Sequence, residues 1–146
     1  MNVNLIIRKI EKQIFMKSNR IKYAPSIEWL KVIPTEAGIY GFFKNDKIVY
    51  IGETGSLKGR IKDSTRTVNH TLRRTIGKIR YKNIIGYKEA TSYKKFPDHI
   101  EKLINRYMSN LYIVIIPISF GRSEIEEYIV DKYRPIYNNK SKRESV

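Results

Sequence analysis

Residues 38–60 read GIYGFFKNDKIVYIGETGSLKGR, and this stretch decides the fold. Two β-rich runs, Gly38-Ile39-Tyr40-Gly41-Phe42-Phe43 and Lys47-Ile48-Val49-Tyr50-Ile51-Gly52, are separated by a short polar link in which Asn45 and Asp46 tolerate turn conformations. The spacing predicts a β-hairpin with its apolar face on a core. Behind it, Ser56 is available as a helix cap, and Leu57 and Ile61 lie four apart on what would be the buried face of a helix. Arg60 then falls at the edge of that face, able to look across at the hairpin. Two tyrosines and an arginine thus converge on one small unit.

Outward from the hairpin, the elements alternate in type. Val3, Ile6, Ile7, Ile10 and Ile14 follow helical spacing and predict an amphipathic helix over residues 3–16. Residues 24–34 predict a shorter helix capped by Ser26 and closed by Pro34. Asn69 is placed to cap a helix that buries Leu72, Ile76 and Ile79, and Asp98-x-x-Glu101 marks the start of another. Residues 84–96 read as loop or short strand. Residues 111–120 form an apolar strand, and the last helix, from Gly121, stops at Pro135. The expected architecture is a mixed α/β (α+β) domain, with a small three-stranded antiparallel sheet flanked by helices.

The 146-residue chain is most simply one domain. Its organisation divides into an N-terminal helical extension over residues 1–33, packed on a domain at 34–140, and a polar tail at 141–146. The longest apolar run is strand-sized, so no membrane partner is expected, and the N-terminus lacks the apolar core of a secretory leader. Absence of cysteine excludes disulfides and thiolate metal sites and fits a cytoplasmic protein. The charge balance is the strongest compositional signal: 29 Lys and Arg against 14 Asp and Glu give +15. Such an excess repels itself unless a polyanion relieves it, which points to nucleic acid.

Gly38-Ile39-Tyr40, Tyr50-Ile51-Gly52 and Arg60 resemble the GIY-YIG nuclease superfamily. The closing segment Glu126-Glu127-Tyr128 through Pro135-Ile136-Tyr137-Asn138 is similar to that family's last helix and Pro-x-Tyr-Asn ending. The resemblance implies an endonuclease that hydrolyses DNA phosphodiesters with Mg²⁺ or Mn²⁺ bound by Glu126. In this reading either Tyr40 or Tyr50 holds or shares the general-base role, with Tyr40 favoured as base and Tyr50 as its support, Arg60 binds the phosphate, Asn138 orients a neighbour, and His70 is a second-tier candidate. A phenol near pKa 10 is a poor base at neutral pH, so the surrounding cations are expected to lower it. Lys58, Lys62, Arg66, Arg73, Arg74 and Lys78 are expected to track the nucleic acid.

Each residue also has a plainer reading. The tyrosines suit half-buried strand positions, Arg60 a solvated helix, His70 an ordinary helix start and Asn138 a turn. Ser123-x-x-Glu126 reads as a capping box that would occupy the same carboxylate, and Glu127 is a rival ligand. A non-catalytic nucleic-acid-binding module on the same scaffold is the alternative function. Target choice is left to the N-terminal helices and the basic segment 60–82, to a DNA structure, or to a partner protein or second copy.

Overall fold

In the computed structural model, residues 3–138 are described, so the expected polar tail lies outside the described residues. Helix α1 spans Val3–Phe15 and is followed by strand β1, Ile21–Lys22, and helix α2, Ile27–Lys31. The hairpin is β2, Gly38–Lys44, and β3, Lys47–Thr54. Then come α3, Leu57–Asp63, α4, Thr71–Tyr81, α5, Asp98–Met108, β4, Tyr112–Pro117, and α6, Arg122–Tyr133. Residues 84–96 carry no strand.

The sheet has four strands, not three, in the order β1-β4-β2-β3, and every neighbouring pair is antiparallel. The extra strand is β1, which pairs Ile21 with Ile113 and Lys22 with Tyr112. Two exposed residues are too few to carry a period-two pattern, which is why periodicity misses them.

Helices cover both faces, so β2 is buried from Gly38 to Phe43 and reads as a continuous apolar run. Tyr40, Phe42 and Tyr50 face a core built with Leu57 and Ile61 of α3, Leu72 and Ile76 of α4, and Ile100 and Ile104 of α5. Ile39, Phe43 and Ile51 face the opposite core, against Ile10 and Ile14 of α1 and Ile125 and Ile129 of α6. Glu11 of α1 fastens that layer by accepting from Tyr128, Lys132 and Tyr133 of α6.

A β-bulge sets the register of the hairpin. Phe42 pairs with Tyr50 and Phe43 with Ile48, so Val49 is the extra residue. Its carbonyl instead accepts the Tyr137 N–H at 3.0 Å, which ties the segment after α6 to the edge strand β3. The chain after α6 therefore crosses the sheet edge from one core to the other, with Tyr137 in the core that holds Tyr40. Among the described residues, no helix is long and apolar enough to cross a membrane.

Candidate active site

The motif glycines are explained by close approach. Tyr40 lies directly across from Gly52, and its ring crosses over that residue: a Cβ at Gly52 would lie 2.4 Å from Tyr40 Cζ and 2.5 Å from its hydroxyl. A Cβ at Gly38 would lie 2.4 Å from the Ile116 carbonyl oxygen. Any larger residue would push Tyr40 off its seat or part β2 from β4.

Tyr40 is 1% exposed and Tyr50 8%, with ring centroids 6.1 Å apart. The His70 imidazole completes the cluster, 5.9 Å from Tyr40 and 5.6 Å from Tyr50. His70, rather than Asn69, is the N-cap of α4: its Nδ1 accepts the Leu72 N–H at 3.0 Å. That bond fixes the neutral tautomer, because a nitrogen that accepts an N–H carries no proton. The proton sits on Nε2, which donates to the Tyr40 hydroxyl oxygen at 2.8 Å. Burial, with Arg60 and Arg74 nearby, pushes the His70 pKa down to about 3, so the ring stays neutral at physiological pH.

Arg60 projects from α3 toward both phenols. Its Nη1 donates to the Asn69 carbonyl at 2.9 Å and lies 3.5 Å from Asp63. Asn69 thus acts through its backbone, holding the guanidinium beside the tyrosines. Arg60 lowers the phenol pKa in the expected direction, but burial outweighs it. Burial pushes Tyr40 well above its ordinary value, Tyr50 adds to the effect, and Arg60 opposes it without prevailing. Burial also raises Tyr50, against the pull of Tyr40 and Arg60.

Glu126 approaches from the opposite layer on α6, and its charge is felt at Tyr50. Burial raises its carboxyl above the usual range, the Glu53 carboxylate adds to that, and the Glu53 backbone amide opposes it. The capping box is not formed: α6 begins at Arg122 with Gly121 as its N-cap, which places Ser123 inside the helix. Glu127 lines a groove with Glu124, Tyr128, Asp131 and Lys132 instead. Two residues that the motif reading missed support this corner. Arg122 Nε lies 3.6 Å from Glu53, and its Nη1 donates to the Thr54 carbonyl. The acidic residue directly after Gly52 was the available signal.

Asn138 closes the edge strand: its Oδ1 accepts the Ile51 N–H and its Nδ2 donates to the Ile51 carbonyl, each at 2.9 Å. The side-chain amide takes the place of a neighbouring strand between Tyr50 and Gly52.

The basic track needs correction at Arg73. Arg73 is buried, donating to Glu101 at 2.8 Å, to Asn105 at 2.7 Å and to Thr67 at 3.2 Å. Arg74 is half-buried and donates to the Thr67 and Val68 carbonyls. Both guanidiniums brace the loop leading to His70, and the buried Arg73 is drawn off an outer phosphate path. Lys62 and Arg66 are exposed, Lys58 lies 3.4 Å from the Lys31 carbonyl, and Lys78 lies 3.7 Å from Glu89.

A divalent cation fits the Glu126 corner. Two carboxylates share a half-buried setting where the Glu53 charge disfavours that of Glu126, and hard oxygens are the donors that Mg²⁺ or Mn²⁺ prefers. Among the described residues no group of three or more His, Asp or Glu could hold a metal, so a bound ion would keep most of its waters.

A sequence profile of the GIY-YIG catalytic domain matches residues 14–146, and the chain belongs to that family. Solved structures of the GIY-YIG N-terminal endonuclease domain of UvrC from Thermotoga maritima are similar to it. The form bound to magnesium is 19% identical, covering 77% of this chain and 93% of that one, with a TM-score of 0.42. A Tyr-to-Phe point mutant bound to the catalytic divalent cation is 18% identical over the same shares, with a TM-score of 0.43. No curated protein matches the chain.

Proposed function

We propose that this protein is a cytoplasmic, divalent-metal-dependent endonuclease that hydrolyses DNA phosphodiester bonds. The observation that carries this reading is the Tyr40–His70 hydrogen bond beside Arg60, because it aims donors at an oxygen that must carry charge. Arg60 binds the scissile phosphate with the forked geometry that matches two phosphate oxygens. Tyr40 accepts the proton of the attacking water once its own phenolic proton has been lost to solvent, an ionisation that burial opposes and that Arg60 and a bound divalent ion would favour, and Tyr50 supports it. His70 is a donor only: its Nε2–H steadies the phenolate oxygen and takes up no proton there. Glu126 is the residue that would hold Mg²⁺ or Mn²⁺, with Glu53 beside it. Such an ion, when bound, supplies charge neutralisation at the phosphate and the leaving 3′-oxygen. Asn138 keeps Ile51 in register and so positions Tyr50.

DNA reaches the site across Lys58, Lys62, Arg66 and Lys78. Target choice rests with the N-terminal segment 1–33 and the basic segment 60–82, with a DNA structure, or with a partner protein or second copy. A second reading, a non-catalytic nucleic-acid-binding module, is favoured by the raised phenols.

Cleavage of supercoiled, linear, single-stranded and branched DNA, with Mg²⁺, Mn²⁺ or chelator, separates the two. Metal-dependent cutting is expected, abolished in Glu126→Ala and Tyr40→Phe while DNA binding persists. Binding of every substrate by the wild type with no cutting would establish the module instead.

A further inference from the structure

The segment 65–68, two residues before His70, also floors a cleft. This cleft measures about 380 Å³ and is bounded by Arg66, Thr67, Tyr93, Lys95 and Glu101. Tyr93 is 94% exposed, yet its backbone is fixed. Thr91 Oγ1 accepts the N–H groups of Tyr93 and Lys94, both at 3.1 Å, and the Thr91 N–H donates to the Lys94 carbonyl at 2.8 Å. An aromatic ring held outward on a braced turn, beside a cleft, offers a face to another flat group.

The charges around it are unequal. Glu101 is already engaged, accepting from Arg73, Thr67 and the Phe96 N–H. Arg66 is exposed and has no carboxylate partner among the described residues, and Lys95 has only the exposed Asp98 at 3.4 Å. An aromatic wall with two available cations is the chemistry that takes a nucleobase by its face and its phosphate by charge. Thr67 is three residues from His70, so the cleft floor lies within about 11 Å of the candidate active site along the chain.

We propose that this cleft holds an unpaired nucleotide of the DNA strand, its base stacked on Tyr93 and its phosphate against Arg66 and Lys95. Bases inside a duplex have both faces covered by their neighbours. DNA carrying a flap, gap or splayed end is therefore bound in preference to uninterrupted duplex. This inference rests on DNA being the ligand of the candidate active site, but not on cleavage.

The test uses the full chain with chelator and two oligonucleotide substrates, a duplex and the same duplex carrying a single-stranded flap with 2-aminopurine. Wild type and Tyr93→Phe should quench the flap fluorescence. Tyr93→Ala should lose the quenching and about tenfold in flap affinity, with duplex affinity changed less than about twofold. Arg66→Ala should lower the salt dependence of flap binding by about one phosphate contact. Unchanged binding in Tyr93→Ala, equal weakening on both substrates, or no quenching by the wild type would overturn the proposal. A parallel cleavage assay with Mg²⁺ keeps the two readings apart. Tyr93-dependent quenching without cutting retains the cleft and removes catalysis; cutting without Tyr93 dependence removes only the cleft. Failure to bind any DNA removes both.

Discussion

The Asn138 side chain pairs with both backbone polar groups of Ile51, donating to its carbonyl and accepting its N–H. Ile51 lies on an edge strand, where those groups have no strand partner on that side. Asn138→Ala leaves both unsatisfied in a half-buried position. Urea denaturation is expected to register a loss of about 1–3 kcal/mol, and cleavage should fall with it. Asn138→Asp should be worse than alanine, because a carboxylate oxygen then faces the Ile51 carbonyl.

His70 makes the fold acid-sensitive. With a folded pKa of about 3 against an ordinary 6.5, the unfolded chain binds a proton in that window and the folded chain does not. Stability should therefore fall by about 1.4 kcal/mol per pH unit as pH drops through it, and hold steady above it. His70→Asn keeps a capping side chain without the imidazole, and should flatten this acid limb in denaturation curves measured from pH 7 to pH 4.

Glu126 carries the opposite kind of strain. Its carboxyl pKa is raised, first by burial and then by Glu53, so at neutral pH the ionised group opposes folding. Glu126→Gln should raise the melting temperature of the metal-free protein by a few degrees, while removing cleavage and the stabilisation that added Mg²⁺ gives the wild type. A melting temperature unchanged by the substitution, with Mg²⁺ stabilisation intact, would place the metal elsewhere.

Gly52 is the seat of Tyr40, with no room for a methyl group. Gly52→Ala should cost stability by about 1–3 kcal/mol through overpacking. Cleavage should fall more than that loss alone explains, because the displaced ring loses its His70 contact. A crystal structure of the variant, or loss of the hydrogen-bonded histidine N–H signal by NMR, would register the displacement.

Much of this was legible from the residues because local and global signals agree. The hairpin follows from two β-rich runs about Asn45, which adopts the positive φ of 55° that such a turn requires. Helix α3 starts at the cap that Ser56 provides. What stayed hidden depended on partners far along the chain. Arg73 reads as a cation for the nucleic-acid track until Glu101, 28 residues later, supplies a buried counter-charge. The phenols were expected to be softened by the +15 surplus, but burial is set by packing and not by composition. His70 as cap could not be distinguished from Asn69, since both side chains can accept a backbone N–H.

Strand β4, made of residues 112–117, lies between β1 and β2, although it follows them by some seventy to ninety positions. The sheet therefore cannot close until late sequence has inserted between two early pieces, and Asn138 must then dock on the far edge. Folding of this topology is dominated by long loop closures and is correspondingly slow. A nascent chain still on the ribosome, or a fragment clipped before residue 112, holds Tyr40, Tyr50 and Arg60 but cannot assemble them with Glu126. The candidate site is thus withheld until residues 112–138 have been made, a delay that follows from strand order alone.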